Sequence, residues 1–275
     1  MSLARRHRER ILAAQTVIAA NADLSGGTVT APAAEPLPAA GADKSALSGP
    51  ASPADRAAQQ IGLRYAHDLR RLKEIRSIDL KITAKRDILP DYREWIEGTL
   101  SADAGVGAGL AGEIVPTAMV WTIDIGDYEA AMRLGAFVLR HKVAMPSRYE
   151  RDAATILVEE IADAAIARQS AGERFPIEVL HQVYDLTNGH DIHDPVRAKL
   201  LKAIGTEELV AAEEMEAGPL AQIEFASAAG ALREAQRLNP RAGVTTKIKA
   251  ADKAIAALAA AFPPAGQTEQ GDTAP

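Results

Sequence analysis

The chain has 275 residues, 47% of them apolar, a net charge of −6 and no cysteine. The missing cysteine excludes disulfides, thiolate zinc sites and a cysteine nucleophile, and fits an intracellular protein. Aromatics are only 4% and Ala is abundant, which favours closely packed helices over sheets in one or two domains.

Residues 1–20, MSLARRHRERILAAQTVIAA, imitate a signal peptide, but the apolar part is short, Gln15 interrupts it and no cleavage site follows. It is also too short for a membrane span. We read a basic amphipathic arm whose Arg5, Arg6, Arg8 and Arg10 serve as accessory phosphate contacts; a frayed tail without a role is the alternative. Residues 21–55 are dominated by Ala, Pro, Gly and Ser and read as a disordered linker.

Residues 56–101 hold the densest charge. Between Arg56 and Arg86 stand Arg56, Arg64, Arg70, Arg71, Lys73, Arg76, Lys81, Lys85 and Arg86, opposed only by Asp68, Glu74 and Asp79. The spacing predicts one long helix, capped near Asp55 and stopped at Pro90, followed by a second helix carrying Trp95 that Asp91 caps. On the long helix Arg70, Arg71, Lys73, Lys81 and Lys85 share one half of the circumference, and Tyr65, Leu69, Leu72, Ile75 and Ile82 most of the other. A concentrated cationic face on an acidic chain is a polyanion site or an ordinary solvated surface, and charge alone leaves both open.

Beyond it, Gly107, Gly109 and Gly112 match the dinucleotide fingerprint in spacing, but no strand precedes them and no acidic ribose partner follows, so we read a hinge. From Glu113 the pattern is helix after helix. One ends at Gly126, and a second, capped by Asp127, runs toward Pro146. Asp152–Gln169, Pro176–Thr187 and Asp194–Ile204 follow, the last with Asp194 as its cap. WTIDIGDYEAAMRLGAFVLR echoes a tetratricopeptide hairpin, and the stretch from Ala229 to Phe262 repeats the theme. The expected fold is all-α: a helical bundle of stacked helical hairpins, partly tetratricopeptide-like, with a long basic helix and a disordered N-terminal linker. The expected domains are the arm at 1–20, the linker at 21–55, a basic and Trp-helix unit at 56–101, a helical core at 113–205, C-terminal hairpins at 206–262 and a disordered tail at 263–275.

Catalytic candidates are few. His190, Asp191, His193 and Asp194 include metal-ligand types, but Asp194 is needed as a cap and a surface turn explains the rest. Capping also accounts for Asp124 and Asp127, and Glu159, Glu160 and Asp163 read as a solvated helix face. No phosphate-binding loop with its lysine is present. We therefore assign no catalytic residue, no metal and no cofactor.

The ordered series KxxxKRDILPDYREWIEGTL, MVWTIDIGDYEAAMRLGAFVLRHKVAMP and DPVRAKL resembles the small terminase subunit of temperate tailed phages, the GpM type. The matching positions are Lys85, Arg86, Ile88, Leu89, Pro90, Trp95, Gly98, Leu100, Trp121, Asp124, Gly126, Asp127 and Asp194 to Leu200. The chain departs from the family in its C-terminal tail, which is not basic here. The resemblance implies a DNA-binding packaging subunit in the host cytoplasm. It would bind double-stranded viral DNA near the cohesive-end site, form a homo-oligomeric ring, and recruit and regulate the large ATPase–nuclease subunit, with no membrane partner. The DNA-binding residues it implies are Arg64, Arg70, Arg71, Lys73, Arg76, Lys81, Lys85 and Arg86. The family also carries the label of terminase endonuclease subunit, so a metal-dependent nuclease is the first alternative and a helical scaffold that binds only protein is the second.

Overall fold

The computed structural model describes residues 9–17, 52–106 and 109–263, and every regular element among them is helical. Arg5, Arg6 and Arg8, most of the linker and the tail from 264 on lie outside the described residues. The chain divides into two compact units, Met1–Ala153 and Ala154–Pro275. The helix Asp194–Glu214 runs unbroken through the expected boundary at 205/206.

The first unit holds a helix α1 over 9–17, α2 (Pro53–Glu74), α3 (Ile78–Ile88), a 3₁₀ turn (Leu89–Asp91), α4 (Arg93–Ala102), α5 (Leu110–Asp124) and α6 (Tyr128–Arg140). Its axis is α5, buried nearly all round through Ile114, Val115, Ala118, Met119 and Trp121. A helix that apolar on every side forms only inside a core. It starts at Leu110, earlier than Glu113, and tolerates Pro116 within it. Gly126, at φ 79°, makes the turn into α6, where glycine alone avoids a Cβ penalty. Asp127 then accepts from the Ala130 N–H at 3.2 Å and caps α6 as expected.

Gly98 of α4 sets how close α1 can come. A Cβ there would stand 2.3 Å from the Arg10 carbonyl oxygen and 2.8 Å from the Ala13 Cβ. Ala13 and Val17 are fully buried, and Arg10 pairs with Glu94 at 2.7 Å. The arm is thus helical at its inner end and seated on α4.

The second unit contains α7 (Ala153–Ser170), α8 (Ile177–Thr187), α9 (Asp194–Glu214), α10 (Pro219–Leu238) and α11 (Thr245–Ala261), with α9–α10 and α10–α11 as packed hairpins. α9 is buried along most of its length. A Cβ on Gly205 would meet the Leu232 Cγ at 2.7 Å and the Ala228 carbonyl oxygen at 2.9 Å, so this glycine permits the close α9–α10 crossing. The buried Glu207 carboxylate accepts from Gln169 Nε2 at 2.9 Å, Arg174 Nε at 2.7 Å and the Phe175 N–H at 3.0 Å. Three donors, one of them the guanidinium of Arg174, make that buried charge tolerable.

Four local expectations need correction. The long basic helix is two helices, because Ile75 adopts extended backbone (φ −77°, ψ 124°) and Ser77 caps α3. Its start is capped by Ser52, with Asp55 completing a reciprocal capping box. Asp91 lies in the 3₁₀ turn and does not cap α4, whose N-cap Tyr92 uses no side chain. Likewise His193 is the N-cap of α9 and Asp194 is its first residue.

Candidate nucleic-acid interface

The α2–α3 corner is held out from the first unit by contacts at its base. Ile61, Tyr65, Asp68 and Leu72 form the buried stripe of α2, and Ala84 and Ile88 that of α3. Everything between, from Lys73 to Leu80, is exposed except the half-buried Ile75. Tyr65 and Leu72 are contacts to the body, whereas Leu69, Ile75 and Ile82 reach only partial burial.

The anchoring chemistry is polar and aromatic. Tyr92 donates its hydroxyl to the buried Asp68 carboxylate at 2.7 Å. Its ring meets those of Tyr65 and Trp121 edge-on, with centroids 6.3 and 6.1 Å away. Burial, and then the hydrogen bond to Asp68, push the Tyr92 pKa far above that of an ordinary phenol, so it stays a donor. The Tyr65 hydroxyl donates to the Glu113 carbonyl at 3.2 Å and lies 2.7 Å from the Thr117 hydroxyl. Arg148, from the segment after α6, bonds both hydroxyls, and its guanidinium lies 5.6 Å from the centroid of the Tyr65 ring. This brace stiffens the foot of the corner. Sequence reading missed Asp68, Tyr92 and Arg148 as its parts.

The eight cations sort into two groups. At the base, Lys85 forms an ion pair with Asp124, so Asp124 is a partner of Lys85 and not merely a helix-end residue. Arg64 donates to the Asp91 carbonyl at 3.2 Å, and Arg86 to the Ile125 carbonyl at 3.5 Å. Farther out, Arg70 only bonds the Ala66 carbonyl of its own helix, at 3.1 Å. Arg71, Lys73, Arg76 and Lys81 form no ion pair among the described residues. An unpaired guanidinium or ammonium on a rigid, projecting corner has its donors available for an anion. Arg10, by contrast, is already held by Glu94.

Between the end of α3, α4 and α6 lies a cleft of about 500 Å³, with Leu89, Ile96, Leu100 and Leu134 in its lining and Arg86, Arg93 and Arg133 among its charged residues. Arg133 is spoken for by Glu97 at 2.9 Å. In the second unit, His190, Asp191, His193 and Asp194 are all exposed. Among the described residues no group of three or more His, Asp or Glu is placed to hold a metal ion, and no helix is long and apolar enough to cross a membrane.

With that geometry in place, the chain can be set beside known proteins. A family model described as phage small terminase subunit matches residues 63–195, a span that includes the α2–α3 corner and the whole brace. A protein named terminase, endonuclease subunit, from Escherichia phage P2, is 32% identical over 200 residues, covering 72% of this chain and 74% of that protein. No solved structure matches the chain.

Proposed function

The chain belongs to the phage small terminase subunit family, and on that premise we propose that it binds double-stranded viral DNA through the outer cations of the α2–α3 corner, assembles as a homo-oligomeric ring, and recruits and regulates the large ATPase–nuclease subunit during genome packaging in the host cytoplasm. The observation that carries the DNA reading is the split among the cations. Arg70, Arg71, Lys73 and Arg76 are exposed and Lys81 is half-buried, all without a carboxylate partner among the described residues, while the base of the same element spends its positive charge internally at Lys85. Phosphate neutralisation by such a patch supplies most of a duplex contact that is insensitive to sequence.

The test is a gel-shift titration with Arg70, Arg71 and Lys73 all changed to Glu. All three are exposed and none is part of the brace, so the fold survives. At low salt the variant binds duplex DNA weaker by at least about 100-fold. Equal affinity in variant and wild type rejects the corner as the DNA surface.

The name of the phage P2 relative motivates a second reading, a metal-dependent endonuclease. Hydrolysis of a phosphodiester by metal ions wants several carboxylates converging on one or two ions. Magnesium-dependent nicking by the purified protein, abolished by Asp191→Ala or His193→Ala, would establish that reading. A protein-only scaffold would remain if duplex affinity were weak and flat with salt.

A further inference from the structure

Each unit exposes an apolar corner that nothing above uses. On the α2–α3 corner, Ile78 and Leu80 are 75% and 62% exposed, next to Arg76. On the α9–α10 corner, Leu220 and Ile223 are 70% and 63% exposed, with Met215 beside them in the connection. The first corner is cationic only on balance, with Lys73, Arg76 and Lys81 against Glu74 and Asp79, whereas the second is purely anionic. Glu213, Glu214, Glu216 and Glu224 frame the second corner, and the sequence from Ala203 to Leu232 contains no Lys, Arg or His. Arg174 reaches Glu214 at 2.9 Å, but Glu213, Glu216 and Glu224 form no ion pair among the described residues. Large aliphatic side chains held in water on ordered helix ends mark surfaces that a partner covers. Here the two surfaces complement each other in charge as well as in apolar character.

We propose that the α2–α3 corner of one copy seats on the α9–α10 corner of a second copy of this chain. Ile78 and Leu80 pack against Leu220 and Ile223, and Arg76 faces Glu216 and Glu224. Because two different patches meet, the contact is heterologous. Each copy keeps one free patch of each kind, so the contact repeats from copy to copy and gives a ring where the rotation closes. Arg76 then belongs to the copy contact in the assembly, while Arg70, Arg71, Lys73 and Lys81 stay available for phosphate. The inference deepens the ring part of the proposed function and rests on it, but it does not need the DNA part.

The experiment uses the full chain and two double variants, Ile78→Asp with Leu80→Asp and Leu220→Asp with Ile223→Asp, weighed by native mass spectrometry at micromolar concentration. All four side chains are mostly solvent-exposed, so the monomers fold, and thermal melts of each variant verify it. Wild type forms a closed oligomer. Each variant alone is a monomer, its association weakened on the order of 100-fold or more. An equimolar mixture gives one-to-one heterodimers and nothing larger, since each partner contributes one intact patch. Arg76→Glu weakens assembly, and adding Glu216→Arg and Glu224→Arg in the same chain restores it. A monomeric wild type, a variant that assembles normally, a mixture that stays monomeric, or a charge swap that restores nothing overturns the proposal. So does a loss of duplex binding in the Ile78/Leu80 variant at unchanged mass, which would put that corner on DNA. A wild type that assembles and ignores DNA leaves this contact standing and rejects the DNA reading.

Discussion

The outer corner of the first unit and the core of the second treat charge in opposite ways. In the second, Glu207 is enclosed by Gln169, Arg174 and the Phe175 N–H, and Lys199 bridges Glu159 at 3.2 Å and Asp163 at 2.9 Å. There, charge helps to hold helices together. In the first, a buried Asp68–Tyr92 bond and the Arg148 brace anchor a corner whose outer cations have no carboxylate to meet. A rigid foot under unpaired charge is the arrangement expected of a binding element, because preorganised donors lose little freedom when the anion arrives. The contrast separates residues that stabilise from residues that recognise.

That separation can be broken by mutation. The largest effect falls on Glu207→Ala, which removes the acceptor shared by Gln169, Arg174 and the Phe175 N–H in the second unit's core. Chemical denaturation of that unit should show a loss of about 2–4 kcal/mol, with duplex affinity unchanged. Gly205→Ala forces a methyl group against Leu232 and the Ala228 carbonyl, and its melting curve should report about 1–3 kcal/mol of overpacking strain. In the first unit, Tyr92→Phe removes the donor to Asp68 and leaves a buried carboxylate short of one hydrogen bond. We expect about 1–3 kcal/mol in stability and a measurable drop in duplex affinity, because the foot of the corner loosens. If Tyr92→Phe leaves both unchanged, the brace is not what holds the corner.

Finer still is the pair Lys81→Gln and Lys85→Gln. Lys81 has no ion-pair partner among the described residues, so its loss should reduce the slope of log affinity against log salt by about 1. Lys85 is engaged with Asp124. Its loss should leave the slope alone and lower the melting temperature slightly. The smallest effect concerns Glu208, whose carboxyl is pushed up by burial against the opposing influence of hydrogen bonds from His181 and Ser227. With the folded pKa above the unfolded one, its contribution to stability is complete below the unfolded value and fades as pH rises through the folded value. Glu208→Gln should remove that decline, on the order of 1 kcal/mol or less, from melts run at increasing pH.

Much of this was legible in residue order. Apolar spacing placed α5 to α8 and the first half of α9, and Asp127 and the Gly126 turn announced themselves. The break at residues 75–77 was hidden because Leu69, Leu72, Ile75 and Ile82 keep a helical period across it. Ser77, which accepts from the Leu80 N–H at 3.4 Å, was the overlooked signal. Asp68 read only as an acid opposing the basic run, since its partner, Tyr92, lies 24 residues away. No local pattern could assign Arg148, 83 residues beyond Tyr65. The same limit applied to the cations: sequence found the set, but only the fold divides Lys85 and Arg64 from Arg71, Lys73, Arg76 and Lys81.

The central claim is that the outer corner of the first unit holds duplex phosphates. Its most direct test is duplex affinity measured across a range of salt for wild type and for the Arg70→Glu, Arg71→Glu, Lys73→Glu variant. The account predicts a steep wild-type decline, with log affinity falling with a slope of about −4 against log salt, and a slope of about −1 for the variant. Two parallel lines, or a wild type indifferent to salt, would contradict it.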